Sequence, residues 1–204
     1  MIKNIIFDMG NVLKGFDPQY FIRKLGIDGE DAVLLYRHVF HSLEWARMDR
    51  GSLTDAEAVT RMCQHIPQRL HWAVEQLVCH WDEPILPMEG MEALVAELSA
   101  AGYGLYLLSN ASLRQREYWP RVPGSEYFQA TFISSEHKLV KPQPEIYREM
   151  LDTFQLNPEE CVFIDDSPAN IEGAFFCGIP GIVFHGGAKE LRRELAAMGV
   201  RISV

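Results

Sequence analysis

Three apolar runs in this chain break off on polar residues able to do chemistry, and that pattern restricts its possible folds more than any other feature. Ile5-Ile6-Phe7 runs into Asp8, Leu107-Leu108 into Ser109 and Asn110, and Val162-Phe163-Ile164 into Asp165 and Asp166. Short runs that are apolar without alternation read as strands buried on both faces, here at 5–8, 105–109, 131–134, 161–165 and 181–184. Helical patterns lie between them. Met91, Leu94, Val95 and Leu98 share one face, with Gly102 suited to the C-terminal cap. Further helices are expected over about 144–154 and about 168–177, the latter closed by Gly178. Strand–helix alternation of this kind predicts an α/β fold, a parallel sheet with helices on both faces. Ligands of such sheets bind outside the carboxyl ends of the strands, so the three polar endings should meet in one crevice.

The stretch 15–83 departs from this pattern. It is helix-like, rich in His, Trp and Arg, and holds no convincing strand. Ser52-Leu53-Thr54-Asp55-Ala56-Glu57 has the form of a helix start with acidic residues in its first turn. The stretch reads as an inserted helical lobe, which leaves a discontinuous core made of 1–14 and 84–204. The 204 residues, 48% of them hydrophobic, suffice for one core and a small accessory lobe. A formal net charge of −9 with no Lys/Arg run argues against nucleic acid or an anionic membrane as the main partner. Cys63, Cys79, Cys161 and Cys177 form no Cys-x-x-Cys pair and are expected to be reduced. The opening Met1-Ile2-Lys3-Asn4-Ile5-Ile6-Phe7 is too short for a signal peptide, and no stretch approaches the roughly 20 apolar residues of a membrane span. The expectation is a cytoplasmic protein, a monomer or weak homodimer.

Bringing Asp8, Asp165 and Asp166 together has an electrostatic consequence. Like charges about 4 Å apart repel by roughly 4 kcal/mol per pair at an effective dielectric near 20. An oxygen-loving dication resolves the conflict, and carboxylates without thiols or a His cluster favour magnesium. A phosphate substrate would add negative charge, which calls for a lysine as well. Lys141, in the loop Val140-Lys141-Pro142-Gln143-Pro144 ahead of a helix, is well placed to supply it.

Phe7-Asp8-Met9-Gly10-Asn11-Val12, Leu108-Ser109-Asn110, Lys141-Pro142 and Phe163-Ile164-Asp165-Asp166 together resemble the four ordered motifs of the haloacid dehalogenase-like hydrolase superfamily. The resemblance spans nearly the whole chain. It is nearest to the branch of glucose-1-phosphate phosphatases and the phosphatase domain of epoxide hydrolases. It implies a Rossmann-like core with an inserted α-helical cap of the C1 type, and a magnesium-dependent hydrolase of small phosphorylated metabolites, sugar phosphates among them. By the same resemblance Asp8 is the nucleophile and a metal ligand, and Gly10 offers its backbone carbonyl to the metal. Ser109 and Asn110 bind phosphate. Lys141 steadies nucleophile and phosphate, Asp166 is a direct magnesium ligand, and Asp165 lies in the metal's outer shell. The implied chemistry is covalent: Asp8 attacks phosphorus and water then hydrolyses the aspartyl-phosphate.

One departure from the family pattern bears on mechanism. Most phosphatases of the superfamily carry a second Asp two residues after the nucleophile, as general acid and base, and here that residue is Gly10. Such catalysis typically contributes about 10²–10⁴ in rate. Asp17 or a held water are candidate substitutes. A 2-haloacid dehalogenase-type enzyme and a non-catalytic phosphate-binding sensor remain as alternatives. Lys138 is a smaller departure, standing where relatives usually have Gly. The seven histidines show no metal-ligand spacing, and Trp45, Trp72 and Trp81 are expected to pack within the helical lobe, with Trp45 and Arg47 as candidates to face the substrate.

Overall fold

The computed structural model describes residues 1–202. Among these, strands β1 (Asn4–Phe7), β2 (Gly104–Ser109), β3 (Ala130–Ile133), β4 (Cys161–Asp165) and β5 (Gly181–Val183) form one sheet, ordered β3-β2-β1-β4-β5. Every pairing is parallel. Because β1 is paired by β2 on one side and β4 on the other, the chain reverses its direction of winding there. A crevice opens at such a switch point.

The strands are buried on both faces, and their alternation explains why the runs carry no polar residues. Ile5, Phe7, Leu105, Leu107, Val162 and Ile164 point to one face. There they pack on Met91, Leu94, Val95 and Leu98 of a helix at Met91–Ala100, and on Leu191 and Leu195 of another at Ala188–Ala197. Ile6, Leu108, Phe132, Cys161 and Phe163 point to the other face, against Ile146, Tyr147 and Met150 of the helix Pro144–Phe154 and Ala174 of the helix Pro168–Phe175. Burying one such Leu, Ile or Phe side chain contributes about 1.5–3 kcal/mol. The expected helix over 168–177 thus stops at Phe175, and Gly178, at φ +83°, turns the chain toward β5.

Between β1 and Met91 the structure holds no strand. Five α-helices fill the segment: α1 (Pro18–Lys24), α2 (Gly29–Leu35), α3 (Leu43–Asp49), α4 (Asp55–Met62) and α5 (His71–Cys79), with a π-helical turn at Tyr36–Phe40. Local chemistry sets their starts. Thr54 and Glu57 form a reciprocal capping box at α4, the Ser52–Glu57 signal read from sequence. Ser42 caps α3 through Trp45 N–H. These helices bury a cluster of their own, including Phe21, Leu35, Val39, Met48, Ala73, Val74 and Leu77. After α5, the helices already placed at Met91–Ala100, Pro144–Phe154, Pro168–Phe175 and Ala188–Ala197 are joined by two single-turn helices, Gln115–Tyr118 and Ser134–His137. No helix among the described residues is long and apolar enough to cross a membrane.

Candidate active site

Asp8, Ser109 and Asp165 stand at the carboxyl ends of the three central strands, and Lys141 joins them from the loop before the helix Pro144–Phe154. The Lys141 ammonium is buried, donating to Asp8 Oδ1 at 2.6 Å, to Asp165 Oδ2 at 2.6 Å and to the Leu108 carbonyl at 3.0 Å. Three acceptors match its three N–H bonds. Its backbone is fixed too. Lys141 N–H donates to Asn110 Oδ1 at 2.8 Å while Asn110 Nδ2 donates to the Lys141 carbonyl at 3.0 Å. Asn110 therefore acts as a clamp between the end of β2 and the lysine loop, a role the sequence did not reveal.

The two adjacent aspartates are held differently. Asp165 is fully buried and saturated by Lys141, the Ser167 N–H at 2.8 Å and Asn170 Nδ2 at 2.9 Å. Asp166 is exposed and accepts a side-chain hydrogen bond from Asn11 at 3.0 Å. One carboxylate oxygen each of Asp8, Asp165 and Asp166 lies within 4.8 Å of the others. Burial raises the Asp8 carboxyl to about 7; Lys141 opposes that shift and Asp165 reinforces it. For Lys141 burial disfavours the charge, but Asp8 and Asp165 outweigh it and hold the ammonium above its ordinary value.

The donor set fits a hard dication. Asp8 spends Oδ1 on Lys141, and its Oδ2 faces Gly10; with the open Asp166 this gives oxygen ligands without thiols or imidazoles. Saturated Asp165 has little left to offer an ion directly.

Space at Gly10 is not the reason for its missing side chain. A Cβ there would meet nothing nearer than Asp8 Oδ2 at 3.8 Å and Phe16 Cβ at 4.0 Å. Asp17, the candidate substitute acid, lies elsewhere. It is exposed, caps α1 through the N–H groups of Gln19 and Tyr20, and does not line the cleft. Lys138 has φ +59°, the left-handed conformation that glycine adopts without strain, which is consistent with the glycine that the family resemblance implies there.

Above the carboxylates lies a cleft of about 220 Å³. The core contributes Asp8, Gly10, Ser109, Asn110, Lys141 and Asp166, while Phe16, Trp45, Asp49 and Trp81 close it from the helical side. Trp45 and Trp81 thus pack within the helical cluster and also line the cleft; Arg47 does not line it, and Trp72 lies at the surface. Two cleft residues escaped the sequence reading. Lys14 is buried, with its ammonium 4.0 Å from the Trp81 ring centre and 5.4 Å from that of Tyr118, and burial pulls it down to about 8. Asp49 ends α3, and burial, with Asp55 adding to it, pushes its carboxyl up to about 8. Neither sits in a motif; the only sequence signal is a charged residue next to apolar ones, at Leu13-Lys14 and Met48-Asp49.

The family model described as haloacid dehalogenase-like hydrolase matches residues 2–178. Flavin mononucleotide hydrolase 1 of Arabidopsis thaliana, named as a chloroplast protein, is 30% identical over 117 residues, 57% of this chain and 47% of that protein. The chain thus matches about half the length of that relative. A sesquiterpene phosphatase of Aspergillus oryzae is 24% identical over 195 residues, 88% of each chain. Among solved structures, a haloacid dehalogenase family enzyme of Bacteroides thetaiotaomicron, in complex with magnesium and inorganic phosphate, superposes with a TM-score of 0.70. It is 24% identical and the match covers 92% of this chain and 96% of that one.

Proposed function

The chain belongs to the haloacid dehalogenase-like hydrolase family, and on that premise we propose that it is a magnesium-dependent hydrolase of small phosphate monoesters, acting through an aspartyl-phosphate on Asp8. The observation that carries this reading is the Lys141 ammonium bonded at once to Asp8 and Asp165, beside an exposed Asp166. Phosphatase names among the relatives, and the magnesium and phosphate bound by the Bacteroides enzyme, support it. In this reading the segment 15–83 is a cap over a core of 1–14 and 84–204.

Asp8, Gly10 through its carbonyl, and Asp166 would hold the ion. When bound, magnesium supplies positive charge to the phosphoryl oxygens and favours the ionised form of Asp8. The rest is done by this chain's own groups. Lys141 fixes the Asp8 carboxylate and neutralises charge on the equatorial oxygens. Ser109 and Asn110 receive the phosphate at the end of β2. An Asp8 oxygen attacks phosphorus as the ester oxygen leaves, and water then cleaves the aspartyl-phosphate. A cleft of about 220 Å³ lies below the roughly 300–1,000 Å³ of drug-sized ligand pockets, which favours small leaving groups.

The test is phosphate release from a panel of small esters with magnesium. Asp8→Asn keeps the shape and removes the nucleophile, so turnover should drop below about a thousandth of wild type. Substantial release by that variant would end the covalent mechanism, and halide release from 2-haloacids in place of phosphate release would reassign the reaction.

A further inference from the structure

Gly10 leaves the reaction without a proton donor for the leaving oxygen, yet a third acidic residue lines the same cleft. The acidic residues that line it are Asp8, Asp166 and Asp49, and the Asp49 carboxyl lies near enough to the cleft residues Lys141 and Tyr118 to interact with both. The first two are engaged, by Lys141 and by Asn11. Asp49 comes from the opposite wall, at the C-terminal end of α3, and no side-chain hydrogen bond or ion pair occupies its carboxyl among the described residues. From the phosphohydrolase reading above, we propose that Asp49 is the acid–base residue of this enzyme, standing across the cleft in place of the carboxylate that Gly10 lacks.

Its position is built rather than incidental. Ser134 Oγ donates to the Asp49 carbonyl at 2.5 Å and accepts from Ala111 N–H at 2.9 Å. One hydroxyl thereby ties the end of α3 to the segment that follows the phosphate-binding Ser109 and Asn110. Two residues on, Gly51 lies so close to the core that a Cβ would stand 2.0 Å from the Ser135 carbonyl oxygen. The end of α3 is thus locked onto the core beside Lys141. Burial favours the protonated carboxyl, with Lys141 pulling the other way, so a proton is at hand near neutral pH. The competing donors are less suited. Burial drives the Tyr118 hydroxyl far above its ordinary value, and the Lys14 ammonium is turned onto the Trp81 ring.

The proton inventory closes. As the Asp8 oxygen bonds to phosphorus and the P–O bond to the leaving group breaks, the leaving oxygen takes the proton of Asp49, which becomes a carboxylate. That carboxylate then takes a proton from the water attacking phosphorus. The bond to Asp8 breaks, inorganic phosphate leaves, and Asp49 is protonated again.

The experiment is kcat/KM with magnesium over aryl and alkyl phosphates of graded leaving-group pKa, for wild type, Asp49→Asn and Lys14→Met. This parameter reports the steps through phosphoryl transfer. Wild type should depend weakly on leaving-group basicity. Asp49→Asn should lose about 100-fold or more on alkyl esters and less than about fivefold on p-nitrophenyl phosphate, whose anion needs no proton. An equal loss across the series, no loss, or steepening in Lys14→Met instead would overturn the assignment. Absence of wild-type turnover on every ester would overturn the phosphohydrolase reading itself and Asp49's role with it, a result distinct from turnover with parallel series. Asp49→Asn is near-isosteric, and a cooperative melting transition retained by the variant separates a lost proton from a lost fold.

Discussion

At the level of single residues, the site is governed by how many partners each carboxyl has. Asp165 has three and is spent as scaffold, whereas buried Asp8 and half-buried Asp49 have fewer, and loss of solvent raises both, to about 7 and about 8. A carboxyl whose folded pKa lies above its unfolded value binds protons more tightly when folded. Its stabilising contribution is fully present below the unfolded pKa and is lost as pH rises through the folded one. With metal removed by chelator, the melting temperature should therefore fall as pH rises from about 6 to about 8, by several degrees in a domain of this size. Lys14, pulled down to about 8, acts in the opposite sense at higher pH, which is why the window stops there. Thermal melts of wild type and Asp49→Asn across that window test the point. The variant should show a shallower slope, and an unchanged slope would mean that Asp49 does not hold its proton in the fold.

At the level of elements, the decisive junction is the end of α3 against the core. Gly51 has φ +71° as well as no room for a Cβ, so Gly51→Ala should cost at least about 1–3 kcal/mol and shift α3 away from Ser134 and Ser135. Thr54→Ala, three residues further on, removes only a capping box and should cost about 1 kcal/mol while leaving turnover near wild type. Denaturation midpoints and kcat/KM of both variants check this. If Gly51→Ala kept full activity, the docking of α3 would not matter to the site. The contrast also marks what the sequence made legible. Each central strand announced itself by an apolar run and a polar ending, because strand burial and site chemistry are both written within a few consecutive residues. Asp49 could not be found that way. It reaches the cleft through a hydrogen bond to Ser134, 85 positions away, and only the packed structure tells which face of α3 covers the crevice. Asp17 misleads for the converse reason. It follows the first motif closely in sequence, but Pro18 makes it a natural helix cap, and capping turns its carboxyl toward its own backbone.

At the level of the whole molecule, a chain of net charge −9 gathers three carboxylates within 4.8 Å of one another and sets a single buried ammonium among them. Lys141 lies between Asp8 and Asp165, and among the described residues Asp166, close to Asp8, has the neutral amide of Asn11 as its hydrogen-bond partner. The three carboxyls stand together in the folded state alone, since unfolding separates residues 8 and 166 by the length of the chain. A dication that binds the folded site but not the unfolded chain therefore stabilises the protein by mass action, about 2.7 kcal/mol at a hundredfold excess over its dissociation constant. For a chain of this length that corresponds to a rise of roughly 5–10 °C in melting temperature on adding magnesium. The same addition should restore turnover abolished by EDTA. Asp166→Asn should lose both responses, because it removes the open ligand without disturbing Lys141, whereas Asp49→Asn should keep the thermal response and lose only catalysis of demanding esters. Melting curves with and without magnesium for the three proteins separate these outcomes. Full turnover in chelator, together with a melting temperature indifferent to magnesium, would retire the metal site and leave Asp8 as a nucleophile that works without one.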